Sequence, residues 1–336
     1  MKRLILGLAL LLLTSTTRAQ VATINDGDFV HPTFSPDGKV LAYANVVMKG
    51  DFENTEIFLH NLSTNRRSTL LNSRKAAAYA TYKAFVTEMK WIGAKRLEVM
   101  ISDGDVDSTR LIFDPQRRRL LKERFEGGDE LDTQLAPVAQ KAYEQASSLF
   151  PSFPRKALEN ALRNTALVIP DQGIVLQKNY AGHDNNIWFL DFQNKSVRAL
   201  INLPEDSVNA FNGGVALKGA IVLALSRDTK TNLFLYRDAK ISRVGEFESS
   251  GSGWIEVKHV SSSKLIFLLR THGTTEPGDN PLFVFDGTQL LRIKEYSQLY
   301  DAAVDPAGRR IAYCYWAGDK RHIVVKELNQ TLPLIE

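Results

Sequence analysis

Cysteine is nearly absent from this chain. Its 336 residues contain one, Cys314, which excludes an intramolecular disulfide and leaves the fold to be held by apolar burial. Long hydrophobic runs are equally scarce. The longest, residues 4–13, has half of the ~20 apolar residues that a bilayer crossing needs. Neither sign of charge dominates, since 42 Lys and Arg face 38 Asp and Glu. Nucleic-acid binders concentrate cations to neutralise phosphates. Here the densest cluster is Arg117-Arg118-Arg119, with Lys122 and Arg124 behind it, and it reads as a solvated strand or turn face. No nucleic-acid partner and no membrane span are expected.

The one apolar run reads as an address. Lys2 and Arg3 precede it and Thr17-Arg18-Ala19 follows as a small–x–small cleavage site, which is the layout of a secretory signal peptide. Residues 1–19 are therefore expected to be removed, leaving 20–336 as a single domain. Without Lys2, Arg3 and Arg18 the formal charge of +4 falls to +1. A lipoprotein would carry a cysteine at the cleavage site, so the expectation is a soluble periplasmic or secreted protein.

The mature chain repeats itself. From His31, the segment H-P-T-F-S-P-D-G-K-V-L-A-Y gives a short strand, a turn and a second strand over 40–47. Proline presets φ, Asp bonds neighbouring amides and Gly accepts the positive φ of such a turn. Third and fourth strands are expected at 56–60 and 67–71. The same order returns at D-A-A-V-D-P-A-G-R-R-I-A-Y, from Asp301, with further strands over 310–316 and 322–328. Between these two units, four weaker copies align by pattern. Their strands fall at 88–91, 96–102, 109–114 and 119–122; at 167–169, 173–178, 187–191 and 197–201; at 211–217, 220–226, 233–237 and 241–245; and at 254–257, 264–270, 282–286 and 290–294. Four short strands recurring every 40–50 residues are the mark of a β-propeller. The expected fold is all-β: a six-bladed β-propeller of four-stranded antiparallel sheets, with residues 21–30 pairing with the last blade.

The P-D-G segments at 31–43 and 301–313 resemble the repeat of TolB-type propellers (the PD40, WD40-like repeat family), shared with the propellers of prolyl-oligopeptidase-type peptidases. The resemblance is strong in the first and last units and faint in the middle four. It implies six blades and a periplasmic protein-interaction role. TolB carries an additional N-terminal α/β domain, whereas blade one here starts almost directly after the signal.

One stretch departs from strand alternation. Over 129–164, Leu131, Leu135, Val138, Ala142, Ala146 and Leu149 recur at helical spacing, and Ala157, Leu158, Ala161 and Leu162 follow Pro151 and Pro154. A helical hairpin is expected between blades two and three, capping the propeller or covering a blade edge. A shorter helical piece is expected over 74–85.

The sequence carries few chemical motifs. No G-x-S-x-G elbow is present; Ser250-Gly251-Ser252-Gly253 has the wrong spacing. Peptidases with this propeller type add a hydrolase domain, and only residues 329–336 follow the sixth unit. Asp103, Asp105, Asp107 and Asp114 imitate a calcium loop, but Ser108 stands where it needs Gly and Asp114 where it needs Glu. They read as an acidic hairpin loop. The six histidines (His31, His60, His183, His259, His272 and His322) lack metal-site spacing. No catalytic residue, metal or cofactor is expected.

What remains is geometry. The first strand of each propeller blade lines the central channel, so its polar residues are candidate ligand contacts: His31, Glu88, Asn212, Glu256 and Asp301. Trp91, Trp188, Trp254 and Trp316 are expected to pack between blades. The expected function is non-catalytic binding of an envelope protein or peptide. The competing reading is a channel-sited, metal-dependent hydrolase or lactonase.

Overall fold

A computed structural model describes residues 20–49, 52–79, 83–103, 108–126, 135–164, 166–177, 186–202, 209–227, 229–249, 253–271, 280–293 and 299–328. The expected signal at 1–19, and Asp105 and Asp107, lie outside them. The described residues form six four-stranded antiparallel sheets. Five are meanders in chain order: β2 to β5 (Asp28–Phe34, Val40–Lys49, Phe52–Asn61, Arg66–Leu71), β6 to β9 (Phe85–Ile92, Arg96–Ser102, Ser108–Asp114, Arg119–Glu126), β10 to β13 (Leu167–Ile169, Gly173–Gln177, Ile187–Asp191, Ser196–Ile201), β14 to β17 (Asn209–Leu217, Ala220–Arg227, Lys230–Arg237, Lys240–Glu248) and β18 to β21 (Trp254–Val260, Leu265–Arg270, Leu282–Phe285, Leu290–Arg292). The sixth is β22 (Leu299–Val304), β23 (Arg310–Ala317) and β24 (Lys320–Glu327), completed by β1 (Gln20–Ile24). Six such sheets are the blades of a six-bladed β-propeller. Residues 21–30 divide between two strands: only β1 joins the last sheet, with Ile24 opposite Ile323, and Asp28 already belongs to β2.

Burial follows strand position. The second strands are near-continuous apolar runs, as in Ile221–Val222–Leu223–Ala224–Leu225 and Leu265–Ile266–Phe267–Leu268–Leu269, all buried, because both faces of each are covered. The fourth strands are far more exposed, and β17 carries Lys240, Arg243, Glu246 and Glu248. Charges along an edge discourage pairing with another sheet.

The chain divides into two compact units, residues 1–125 with 301–331, and 126–300 with 332–336. In the first, three sheets lie side by side, with β2 packed against β6, β23 and β24. Within the β2–β5 sheet Tyr43 is fully buried, with the Phe29 ring edge-on at 5.1 Å. The P-D-G turn is built as its residues require: Gly38 has φ +69°, the Ser35 hydroxyl donates to Asp37 at 2.7 Å, and the Lys39 amide donates to Asp37 at 3.1 Å. After β5, Asn72 caps a short helix, α1 (Ser73–Ala76), followed by a 3-10 turn at Ala77–Tyr79. The helical piece expected over 74–85 is thus shorter than its sequence suggested. Residues 80–82 lie outside the described set, and Phe85 opens β6, where its β-propensity prevails.

In the second unit, helices α2 (Pro137–Leu149) and α3 (Arg155–Asn164) precede β10. Pro137 at the first helical position needs no amide partner. The helices cover a sheet face rather than an edge: Ala142, Ala146, Phe150, Leu158 and Ala161 pack on Ile174, Leu176 and Leu190. The opposite face of that sheet, with Val175, Ile187 and Phe189, packs on Phe211, Ile221, Leu223 and Leu225. The buried stripe of α2 is Ala139, Ala142 and Ala146, whereas Val138 is 59% exposed. Small residues at the contact let the helix lie close to the sheet. Leu131 lies outside the described residues.

Candidate functional site

All five candidate residues stand on the first strand of a sheet: His31 on β2, Glu88 on β6, Asn212 on β14, Glu256 on β18 and Asp301 on β22. Four of these strands are bulged. The pairing register skips between Val30 and Thr33, Val86 and Glu88, Phe211 and Gly214, and Val257 and His259. A bulge adds a residue to one strand, sharpens its twist and re-aims side chains. Pro32 fits inside the first bulge because it has no ladder hydrogen bond to forfeit, and His31 beside it takes φ +51°. A non-glycine residue in that region is uncommon.

His31 and Asp301 meet across two adjacent sheets of the first unit. His31 Nδ1 lies 3.4 Å from Asp301 Oδ2. The Asp301 side chain is 5% exposed and that of His31 22%. Asp301 Oδ1 accepts the Ala302 amide at 2.7 Å, which fixes the carboxylate. Facing it, the imidazole presents Nδ1, which leaves Nε2 free of any hydrogen-bond partner among the described residues. Such a ring offers Nε2 to a hydrogen-bonding partner while the carboxylate lies beside Nδ1.

The other three candidates are engaged within their own units. Glu88 pairs with Lys90 at 3.0 Å, and Lys90 also reaches the buried Glu98 at 3.0 Å. Hydrogen bonds to Glu98 and Glu88 raise the Lys90 pKa. Asn212 Nδ2 donates to Ser226 Oγ at 2.7 Å. That oxygen also accepts the Gly253 amide at 2.9 Å and lies 3.0 Å from Thr231 Oγ1. This buried knot ties β14, β15 and β16 to the start of β18. Glu256 holds Lys258 Nζ and Arg270 Nε, each at 2.6 Å, and Arg270 also donates to the carbonyl of Tyr300.

The tryptophans divide. Trp188 packs against the helix-covered face, Trp316 lies 5.0 Å beneath the Arg321 guanidinium, and Trp91 lines a pocket between the first two sheets. Trp254 is 42% exposed and stands opposite Arg270 in the strand pairing. It departs from the expected packing role, standing at the first position of β18. Lys258 and Arg270 were not singled out in the sequence; Lys258 stands two residues along the same strand, on the same face by strand alternation, whereas Arg270 is revealed only by the pairing of β18 with β19. Asp114 is a turn former, accepting the Gln116 and Arg117 amides at 3.1 and 3.0 Å. Among the described residues, no three His, Cys, Asp or Glu side chains gather.

No family model matches this chain. No curated protein matches it either. Solved structures do resemble it. The β-propeller domain of the Trilobed protease from Pyrococcus furiosus is 12% identical, with 92% of this chain and 84% of that one covered and a TM-score of 0.33. The Cps50 (Swd1) β-propeller domain of Myceliophteria thermophila is 10% identical over 93% of this chain and 100% of that one, with a TM-score of 0.44. An oligogalacturonate lyase in complex with manganese is 11% identical over 94% and 95% of the two chains, with a TM-score of 0.42.

Proposed function

We propose that this chain is an exported, TolB-like propeller that binds a protein or peptide in the periplasm without chemistry of its own, as one domain over 20–336 once residues 1–19 are removed. The observation that carries this reading is the His31–Asp301 pair. It joins the first strands of two sheets, keeps one imidazole nitrogen available and sets a fixed carboxylate behind it. Side chains so held recognise a donor or acceptor on a partner without first being ordered. Glu88, on the neighbouring first strand β6, and Asn212 and Glu256, on first strands of the second unit, are the further candidate contacts. The P-D-G turns support the TolB-like assignment.

The test is affinity capture from an envelope extract with the wild-type chain and with His31→Ala/Asp301→Ala, both checked for native circular dichroism. The double variant is expected to lose the captured partner. Unchanged capture by a folded double variant overturns the assignment of the site.

A second reading rests on the same pair, because an Asp-steadied imidazole is also half of a general-base arrangement. An ester and lactone panel separates the two. Turnover that disappears in His31→Ala favours the hydrolase, while partner capture with no turnover favours the binding module.

A further inference from the structure

The first unit contains a pocket of about 450 Å³ between the β2–β5 and β6–β9 sheets. In a four-stranded meander the turn joining strands one and two lies at the same end as that joining strands three and four. The pocket opens at this end of both sheets, drawing on the turns after β2, β4, β6 and β8. Its buried lining is Leu59, Pro115 and Ser35, whose hydroxyl is already taken by Asp37 and the Val40 amide, and Trp91 is half-buried beside them. The Trp91 indole N–H is buried and has no hydrogen-bond partner among the described residues. Leaving a buried donor unpaired is costly.

The charges around this lining are unbalanced. Arg66, Lys95 and Arg118 line the pocket and are exposed, and none has an ion-pair partner among the described residues. The fourth cation, Arg67, is held by Asp26 through Nη2 at 2.6 Å and Nη1 at 2.7 Å. The single carboxylate in the lining, Asp37, is already bonded by the Ser35 hydroxyl and the Lys39 amide. Arg118 also has φ +50°, a conformation that favours Gly or Asn over arginine. Its neighbour Arg117 lies 3.8 Å from Asp114 and is not part of the lining. The basic cluster therefore splits, one arginine held by its own turn and the next left at the pocket.

We propose that this pocket binds an organic oxyanion, an apolar body ending in a carboxylate or phosphate. The body lies against Trp91, Leu59 and Pro115, and the oxyanion meets Arg66, Lys95 and Arg118. Guanidinium groups match both oxyanions in geometry, and the volume suits a small ligand or the terminal residues of a peptide. The site is separate from the His31–Asp301 pair and does not depend on it.

The test follows the Trp91 indole resonance in the full chain by ¹⁵N–¹H NMR, the peak being assigned with Trp91→Phe. The probes are phenylacetate, phenyl phosphate, a peptide ending in a phenylalanine carboxylate, and uncharged benzyl alcohol. At least one anion is expected to move the Trp91 peak saturably, more weakly as salt rises, and benzyl alcohol is not. Exposed ion pairs are individually modest, so Arg66→Ala/Lys95→Ala/Arg118→Ala is expected to weaken binding about tenfold, with Arg117→Ala unchanged. Comparing the free acids with the peptide identifies the source of the oxyanion. The proposal is overturned if no anion gives a saturable shift up to about 10 mM, if benzyl alcohol binds equally, or if the folded triple variant binds like wild type.

Discussion

Arg310 ties the two P-D-G-type turns together. Its Nε donates to Asp305 in its own turn at 3.1 Å, and its Nη2 donates to the Gly38 carbonyl, in the turn of the adjacent sheet, at 2.6 Å. The turns themselves are closed by different chemistry. Ser35 and Asp37 share the task in the first, whereas Asp305 alone accepts the Arg309 and Arg310 amides at 2.7 and 3.1 Å in the second. Gly38 is constrained twice, by φ +69° and by an approach that would place a Cβ 2.7 Å from the Arg310 guanidinium. Gly38→Ala is therefore expected to cost about 1–2 kcal/mol. Arg310→Ala, which strips the cation from a buried carboxylate, is expected to cost about 1–3 kcal/mol. Urea unfolding would show both as a lower midpoint at unchanged slope.

The same turn predicts the response to acid. Burial pushes the Asp305 carboxyl up, but the Arg309 and Arg310 amides and the Arg310 guanidinium outweigh it and hold its pKa below 3.8. Asp37 and Asp286 are lowered too, chiefly by the hydroxyls of Ser35 and Thr288. A carboxyl with a depressed folded pKa stabilises the fold above its unfolded pKa, and that contribution disappears as pH falls through the folded value. Stability is expected to fall below about pH 4, and Asp305→Asn to flatten that fall. Thermal unfolding between neutral pH and pH 3 checks it; an equally steep loss in the variant would remove Asp305 from the account.

The helical insert offers a packing test. Leu158 is 1% exposed within the cluster that joins α3 to β11 and β12. Leu158→Ala is expected to destabilise the fold by about 2–5 kcal/mol. Ala146, also 1% exposed, has no room for growth, so Ala146→Leu is expected to cost about 1–3 kcal/mol. Val138→Ala, on the exposed side of α2, is expected to change the unfolding midpoint little.

Much of this architecture was legible in the residues. The strands of the four faint middle units could be placed because Val, Ile, Leu and Phe runs alternate with Gly, Asp and Asn turns. The candidate site was legible only as a set of positions. That His31 faces Asp301 depends on two sheets lying side by side, which leaves no local pattern. Helical spacing in α2 was visible, but Val138 was selected over Ala139. Periodicity marks a stripe to within one residue, and the choice of face is made by what the helix packs on.

The joint between the first and last sheets should behave as a clamp. Asp28, at the start of β2, accepts Arg321 Nε at 2.7 Å, Nη2 at 2.6 Å and the Arg321 amide at 2.9 Å. Just before it, Asp26 is gripped by Arg67 from β5. The link between β1 and β2 is thus pinned on both sides. The Arg321 and Asp28 side chains are 11% and 22% exposed, so solvent screens this fork less than a surface pair. Removing one partner leaves the other charge poorly solvated and unpaired. Each single change, Asp28→Ala or Arg321→Ala, is therefore expected to destabilise by more than half of the double variant's loss. A double-mutant cycle is expected to give a coupling of about 1.5–3 kcal/mol. Additive single changes would mean that pairing of β1 with β24 holds this joint without the clamp.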